Sequence, residues 1–500
     1  MDKDTANQDI LREISLLIRS RYGLIWLKTS ERDRMESLLW HVAEGLGLDF
    51  FVWIPGEGLR RRGKLDPIYG TGDPKTALAQ VRSYKRPAIY CFHGMGSSLA
   101  DPAIAARFVE AVRSFTTNEG VMVLTGATEA VPEEARPHTA VVSVRGPKPE
   151  EFRDLVKHIC RDLKSRMSVR IDLTSDNMNR LLRNLKGLTL MEAEKILTRA
   201  MIEDGRLDAR DIEAVFREKK AIVEREGLLE FTPTETGFQG IADLAGLKAW
   251  LTRRKCVMTD PDGAARFGLP FPKGILLLGV PGSGKSLCAK AVAAEWGLPL
   301  LKMDPSRLYN KYIGESEKNY RRAMETAERL SPVVLWIDEI EKAFPPGGGD
   351  DSGVSQRVLG SFLTWLQERK GDVFVAATAN DIDRLPPPLL RKGRFDEIFF
   401  VDLPVRDVRK EIFRIHLTRR GRDPSVFDLD ALADASEGFT GAEIEQAVVA
   451  ALYTAFSAAG SLTTELIETE IRRTRPLSVV RSEYIASLRA WAADRTVSAH

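Results

Sequence analysis

The residues best suited to chemistry lie in the run GVPGSGKS at positions 279–286. An apolar stretch precedes it and an alanine-rich stretch follows it, which is the strand–loop–helix context in which G-x-x-x-x-G-K-[ST] binds phosphate. Glycines let backbone N–H groups turn towards an anion, and the helix N-terminus adds positive dipole. A glycine-rich turn that binds nothing is the alternative, and the complete pattern argues against it. The sequence therefore predicts a nucleoside triphosphate site made by Pro281, Gly282, Ser283, Gly284, Lys285, Ser286 and Leu287.

Two of these side chains have predicted roles, and two carboxylates further along the chain complement them. Lys285 is expected to bind the β- and γ-phosphates, and the Ser286 hydroxyl to hold Mg²⁺. Asp338 and Glu339 follow the apolar run 332–337, which is typical of a strand buried in a parallel sheet. Ligands gather at the carboxyl ends of such strands. We expect Asp338 to hold Mg²⁺ through water and Glu339 to act as general base, although an acidic pair alone is more often a solvated strand end.

A third apolar stretch, residues 373–377, runs into Thr378-Ala379-Asn380, and Arg391 and Arg394 follow in the segment LRKGRFD. An asparagine at a strand tip usually forms a turn, but Asn380 could instead orient the lytic water or contact the γ-phosphate. Surface arginines are common. Two of them on one glycine-containing turn nevertheless suit the stabilisation of phosphoryl-transfer charge, in cis or from a neighbouring subunit.

Together with the run GFTGAE at 438–443, these motifs resemble the AAA family of ring ATPases over about residues 240–455. The resemblance implies hydrolysis of ATP with Mg²⁺ by a ring, usually of six subunits. It also implies that Arg391 and Arg394 reach into the site of the next subunit. It also implies contacts to the adenine from the backbone around Asp243 to Ala245 and around Gly441 and Ala442, with His416 nearby.

The family's pore loop is matched by KYIGESE at 311–317, where Lys311, Tyr312 and Ile313 form an aromatic–aliphatic tip. A tyrosine after a helix is often half-buried packing, but the charged and glycine neighbours indicate an exposed loop. The run 345–353, rich in proline and glycine, cannot pack a core and is expected to be a mobile loop. The resemblance makes it a second pore loop facing the channel.

The whole chain is similar to bacterial AAA proteins related to a conserved plastid-encoded reading frame of unassigned role, in phrases such as FPKG at 271–274 and WIDEIEKAF at 336–344. In that group the first half is a degenerate second module. The residues here agree, because the first half repeats the second weakly. The aligned pairs of segments are 87–94 with 332–339, 121–128 with 373–380, 147–155 with 404–412, and 186–194 with 437–445.

The chemical positions of the first half are nevertheless lost. Its loop at 28–32 has no glycine, and His93-Gly94 stands where the second half has its acidic pair. We therefore predict a scaffold without its own MgATP site, the alternative being a chance match of apolar strands.

The fold class predicted is α/β: an AAA three-layer core with a helical lid, preceded by a degenerate AAA-like three-layer module with its own helical lid. A chain of 500 residues exceeds one core, so several folding units are expected. The predicted units are a degenerate module at 1–145, a lid-like segment at 146–226, a linker at 227–237, the ATPase core at 238–403, and a lid with further helices at 404–500.

Composition excludes several other classes. The net charge of +2 gives no electrostatic drive towards nucleic acid or anionic membranes. No apolar run reaches the ~18 residues needed to span a bilayer, and the polar start of the chain is not a signal or transit peptide, so we expect a cytoplasmic protein. The four cysteines have no C-x-x-C spacing and indicate reduced interior thiols rather than a metal site or disulfides.

An exposed aromatic tip repeated around a ring would grip extended polypeptide by stacking and apolar contact. We therefore expect an ATP-driven remodeller of an unidentified protein client. The alternative is a nucleotide switch or assembly platform that threads nothing. Loading onto nucleic acid lacks a basic face or a stacking array and is not expected.

Overall fold

The computed structural model describes residues 5–500 except 30, 65, 116–119, 127–130, 145, 166, 168, 226, 235–236, 306–314, 345–351 and 370. The chain divides into two compact units, Met1–Val215 and Phe216–His500. Of the helices in the described ranges, none combines the length and the apolar composition needed to cross a bilayer.

The N-terminal unit is a twisted sheet between two helical layers. Its strands are β1 (Leu24–Lys28), β2 (Asp49–Ile54), β3 (Gly58–Arg61), β4 (Ala88–His93), β5 (Gly120–Thr125) and β6 (Thr139–Ser143). They lie in the order β3-β2-β4-β5-β1-β6, and only β3 is antiparallel to its neighbour.

Alternate residues of these strands enter different cores. One core includes Trp26, Tyr90 and Phe92, and the other includes Ile25, Ile89 and Cys91. The first is covered by α3 (Pro74–Ser83), α4 (Met95–Ser98) and α5 (Pro102–Ser114), and the second by α1 (Thr5–Arg19) and α2 (Arg32–Leu46). A helical region follows with α6 (Pro149–Lys164), α7 (Ser175–Leu185), α8 (Leu190–Asp204), α9 (Ala209–Glu224) and the short parallel pair β7 (Arg170–Ile171) and β8 (Arg206–Leu207).

The C-terminal unit repeats this plan. Its strands are β9 (Leu229–Thr232), β10 (Gly274–Gly279), β11 (Leu300–Met303), β12 (Val333–Ile337), β13 (Val373–Ala379), β14 (Glu397–Val401) and β15 (Val497–Ser498), in the order β15-β14-β10-β13-β12-β11-β9. Only β9 is antiparallel to its neighbour. The helices around this sheet are α10 (Ala245–Arg254), α11 (Cys256–Thr259), α12 (Pro261–Arg266), α13 (Lys285–Trp296), α14 (Glu315–Arg329) and α15 (Ser352–Glu368).

A separate apolar cluster around Phe413, Leu432 and Ile467 forms the core of the lid. The lid and the segment after it contain α16 (Arg406–Arg419), α17 (Leu429–Ala435), α18 (Gly441–Ser457), α19 (Thr464–Arg473), α20 (Leu477–Val480) and α21 (Ser482–Ala493).

The two sheets share one strand order, which confirms the internal repeat. Each unit has five mutually parallel strands, which are β1, β2, β4, β5 and β6 in the first unit and β10 to β14 in the second. Counted in chain order as first to fifth, these strands lie side by side in the order fifth, first, fourth, third, second in both sheets. A chance match of apolar strands would not reproduce a crossover pattern. The predicted α/β class, with an AAA-like module ahead of an AAA core, is therefore confirmed.

Three details differ from the sequence-based predictions. The segment 227–237 is not only a linker, because Leu229 and Phe231 are buried and β9 extends the sheet beside β11. The segment 404–500 does not stay in the lid, since β15 returns to the sheet beside β14 and Ala499 is fully buried. Cys256 is exposed rather than interior, unlike the other three cysteines.

Candidate active site

The loop between β10 and α13 has the geometry of an anion cradle. Gly282 and Gly284 both have positive φ, 80° and 95°, a region that other residues rarely adopt. A Cβ at Gly282 would lie 3.0 Å from Thr440 Oγ1, so the lid approaches the loop closely. Gly284 is the N-cap of α13 and brings no side chain to its N–H groups. These donors and the helix dipole favour a phosphate at this point.

Lys285 lies inside this loop. Its Nζ donates hydrogen bonds to the carbonyl oxygens of Gly279 (2.9 Å) and Val280 (2.8 Å), and the residue is 5% exposed. Burial lowers the pKa of Lys285 to about 8, against the opposing attraction of Glu341 and Asp338. A buried ammonium is stabilised by a further anion, so the loop fits a polyphosphate. The buried Ser283 Oγ, which has no hydrogen-bond partner in the described structure, offers one more donor.

Asp338 lies at the end of β12 in a network of hydroxyl groups. Its Oδ1 accepts hydrogen bonds from Ser286 Oγ (2.9 Å) and Thr378 Oγ1 (2.6 Å). The Thr378 hydroxyl in turn accepts from the backbone N–H of Glu339 (3.0 Å). One carboxylate and one hydroxyl are the hard oxygen ligands that Mg²⁺ uses together with water and phosphate oxygens. Ser286 and Asp338 thus fit a magnesium ion.

Glu339 and Asn380 are in direct contact. The Glu339 Oε1 accepts a hydrogen bond from Asn380 Nδ2 (3.0 Å), and its Oε2 pairs with Lys342 Nζ (2.5 Å). Glu339 has φ of 50°, a left-handed conformation unusual for glutamate. The side chains therefore lie where a water molecule could be oriented and deprotonated.

Glu341 holds the backbone of this region. Its buried Oε1 accepts from the N–H groups of Asn380 (2.9 Å) and Asp381 (3.3 Å). Burial raises the pKa of Glu341. Because Asn380 contacts Glu339, Glu341 fixes the backbone that carries one member of this pair of side chains.

A cleft of about 340 Å³ continues from this loop towards the lid. Its apolar lining includes Ile241 and Leu244 and, from the lid, Ile412. His416 also lines the cleft, and burial lowers the pKa of its imidazole. Gly441 and Ala442 lie at the start of α18, and Ala442 N donates to Gly282 O (3.1 Å). The volume and the mixed lining suit a nucleotide.

Two residues of the predicted adenine side, Asp243 and Ala245, are not among the described residues that line the cleft. Leu244, which lies within the predicted stretch, and its neighbour Ala242 do line it. The Asp243 carboxylate is turned to His500, whose Nδ1 lies 2.5 Å from Asp243 Oδ2.

The arginine pair lies away from the cleft of its own chain. Arg391 is exposed, and Arg394 donates to the carbonyl oxygen of Pro388. Neither residue lines the cleft in the described structure. The predicted pore residues Lys311, Tyr312 and Ile313 lie outside the described residues, as do residues 345–351 of the predicted second pore loop at 345–353. The last two residues of that loop belong to the start of α15.

Sequence reasoning missed Thr378, Glu341 and His500. Thr378 stands two residues before Asn380, and its partnership with Asp338 follows only from the pairing of β12 with β13. Glu341 lies in an acidic run that is normally solvated. Of the three, only Thr378 could have been singled out from the sequence, because it lies at the tip of a predicted strand, as the acidic pair does.

The matching region of the N-terminal unit is filled by its own side chains. Glu31, in the loop after β1, accepts from Leu190 N at the start of α8 (3.0 Å) and pairs with Arg34 (2.8 Å). His93, fully buried at the end of β4, contacts Glu36 Oε1 (2.9 Å) and Thr125 Oγ1 (2.6 Å). The hydrogen bond with His93 lowers the pKa of Glu36. The Glu31 carboxylate therefore already accepts a hydrogen bond from the N-terminal end of α8, the helix end that faces this loop.

Comparison with known proteins agrees with this description. The family described as "ATPase family associated with various cellular activities (AAA)" matches residues 275–403. The N-terminal and second domains of SpoVK-like AAA ATPases match residues 10–144 and 150–226.

Full-length relatives are also found. An uncharacterized AAA domain-containing protein, ycf46, of Trieres chinensis is 35% identical over 487 residues, covering 96% of either chain. The ycf46 protein of Pyropia yezoensis is 35% identical over 488 residues, covering 97% of either chain. A cell division cycle protein 48 homolog of Archaeoglobus fulgidus is 37% identical over 209 residues, 41% of this chain and 28% of the relative.

Proposed function

The chain belongs to the AAA family of ATPases, together with the ycf46 proteins, and we propose that it acts as an oligomeric ring motor that remodels a protein client. ATP hydrolysis is the activity of the family. We assign a role in hydrolysis to each residue of the cleft, and we assign a protein client as the target of the motor.

The roles follow from the contacts around the cleft. The N–H groups at the start of α13 and the Lys285 ammonium bind the β- and γ-phosphates. Ser286 and Asp338 hold Mg²⁺, which when bound offsets charge on the phosphate oxygens. Glu339 takes the proton of the attacking water, and Asn380, which donates to the Glu339 carboxylate, keeps it oriented. Hydrolysis then requires one further positive charge near the γ-phosphate.

The single observation that carries the oligomer is the placement of Arg391 and Arg394 outside the cleft of their own chain. Arg391 is exposed, so its guanidinium can contact another molecule. A neighbouring copy that presents its cleft to this arginine would complete the missing positive charge. We therefore assign Arg391, with Arg394 beside it, as a finger that acts in trans, in a ring that is expected to have six subunits.

Mixing two inactive variants tests this assignment. Arg391→Ala should bind MgATP normally but hydrolyse it about 10³-fold more slowly, the value typical of an arginine finger. When it is mixed with Glu339→Gln, some interfaces join one intact cleft to one intact Arg391, so activity should return. As a matched control, Arg391→Ala is mixed with a chain that carries both Arg391→Ala and Glu339→Gln; this mixture has intact clefts but no Arg391, so no activity should return. No recovery in the first mixture, with a monomeric sedimentation profile in ATP, would contradict action in trans.

Remodelling rests on the segment around Tyr312, which precedes α14. An unfolded polypeptide should stimulate ATP hydrolysis, and Tyr312→Ala should remove the stimulation while leaving basal hydrolysis nearly intact. Tyr453→Ala is a matched control, since Tyr453 is a 73% exposed tyrosine on α18. If Tyr312→Ala keeps the stimulation, or if polypeptide never stimulates, a nucleotide switch that threads nothing becomes the better account.

A further inference from the structure

The loop on the base side of the cleft is strained. Asp243 and Leu244 have φ of 55° and 60°, a left-handed region that residues other than glycine rarely adopt. Ala242 and Leu244 line the cleft on either side of Asp243. Such a conformation persists only when neighbouring groups hold it in place.

The end of the chain supplies those groups. The carbonyl oxygen of Ala499 accepts a hydrogen bond from Leu247 N in the first turn of α10 (3.1 Å), a turn whose N-cap, Leu244, offers no side-chain cap. A Cβ at Gly246 would lie 3.1 to 3.4 Å from the carbonyl oxygens of residues 498–500. The glycine therefore permits the close approach.

His500 joins this loop to the strand that leads into the lid. Its Nδ1 lies 2.5 Å from Asp243 Oδ2, and its Nε2 accepts from Asp402 N (3.3 Å). The Asp402 carboxylate is bound in turn by Arg489 of α21, at 3.0 and 2.8 Å. With Nδ1 protonated and Nε2 accepting, both ring nitrogens are satisfied. Both His500 and Asp402 line the cleft.

From these contacts we infer that His500 is a positioning residue for nucleotide binding, which fixes the Asp243–Leu244 loop against the base and ribose. The segment 497–500 is anchored independently of this contact, because β15 pairs with β14 and Ala499 N donates to Phe400 O (3.0 Å). The imidazole is thus held on a rigid support and transmits that rigidity to the loop. This inference rests on the assignment of the cleft as the nucleotide site.

The consequence is a specific pattern of losses. A loop that contacts the base and ribose is used equally by ATP and ADP, since both carry the same nucleoside. His500→Ala in the full chain should therefore weaken MgATP and ADP by the same factor, about tenfold or about 1.4 kcal/mol. The KM for ATP should rise while kcat at saturation stays within twofold, because Glu339 and the phosphate loop are untouched.

Calorimetry with ATP and ADP, together with steady-state kinetics, measures these quantities. His500→Asn should restore much of the affinity, since its amide keeps a donor towards Asp243. As a control, His41→Ala removes an exposed imidazole of α2 that is hydrogen-bonded to Ser37 O in the described structure. This change should leave the affinities for ATP and ADP unaltered. Asp243→Ala should resemble His500→Ala, because either change removes the contact between the two side chains, and the double variant should lose little more than either one.

Several outcomes would overturn the inference. The first is a nucleotide affinity of His500→Ala within twofold of the unmodified chain. The second is a loss for ATP alone, and the third is that the losses from His500→Ala and Asp243→Ala simply add. If His500→Ala fails to fold, Asp243→Ala alone decides through the same ATP and ADP measurements. Lys285→Ala tests the cleft separately: binding that survives that change would refute the nucleotide site itself, whatever His500 does.

Discussion

Glu339→Gln separates the binding of ATP from its hydrolysis. The amide is close to the carboxylate in shape, so it can still accept the hydrogen bond from Asn380 Nδ2 (3.0 Å). What it loses is basicity. Removal of a general base typically costs about 10²–10⁴ in rate, which corresponds to about 2.7–5.4 kcal/mol of barrier at 1.36 kcal/mol for each factor of ten. We expect kcat to fall at least a hundredfold.

The same change should hardly alter stability or affinity. Among the described residues, the ion pair lost is that of Glu339 with Lys342, whose side chain is 65% exposed, and exposed pairs contribute about 0–1 kcal/mol. Glu339 lies beyond the phosphate loop, so MgATP should bind within a few-fold of the unmodified affinity. Single-turnover hydrolysis, calorimetry and thermal unfolding measure the three quantities.

A matched control is Glu465→Gln, an exposed glutamate in the first turn of α19, which should hydrolyse ATP normally. Hydrolysis by Glu339→Gln at more than about a tenth of the unmodified rate would refute the assignment of the base. A loss of MgATP affinity equal to the loss of rate would instead show that Glu339 supports binding, so the two errors can be told apart.

Three further changes test the neighbouring groups. Lys285→Ala should abolish MgATP binding by calorimetry, since the phosphates lose their counter-charge, and any remaining stoichiometric binding would refute the assignment of this cleft as the nucleotide site. Thr378→Val removes the hydrogen bonds to Asp338 and from Glu339 N and should lower kcat at least tenfold; unchanged turnover would make Thr378 only a structural residue. Glu31→Ala should destabilise the N-terminal unit by about 3 kcal/mol, because Leu190 N and Arg34 lose a buried partner. Faster hydrogen exchange at the start of α8 with unchanged ATPase activity is expected, and normal protection there would contradict it.

The phosphate loop could be predicted from the sequence because its chemistry is local. Gly282 and Gly284 are needed for positive φ, Lys285 and Ser286 follow at once, and the helix starts at the same point. The apolar runs that became β10, β12 and β13 are buried on both faces, so hydrophobicity alone located them. Each prediction depended on residues only a few positions apart.

The rest depended on which strands lie side by side. Thr378 meets Asp338 because β13 lies between β10 and β12, and hydrophobic periodicity does not specify strand order. His500 meets Asp243 across 257 positions, a contact that no local pattern encodes. The strands β9 and β15 were missed since they are short, four and two residues, and lie at the edges of the sheet, where the apolar signal is weakest.

The two units show how one fold can bind a nucleotide or do without it. In the C-terminal unit the lid helix α18 meets the loop after β10 through a direct backbone contact, Ala442 N to Gly282 O, and the N–H groups of the glycine loop remain for a phosphate. In the N-terminal unit the matching helix α8 meets the loop after β1 through the carboxylate of Glu31. An anion that belongs to the chain is present at every stage of a cycle, whereas a phosphate comes and goes. We therefore expect the N-terminal unit to keep one arrangement, and changes driven by ATP to arise in the C-terminal unit.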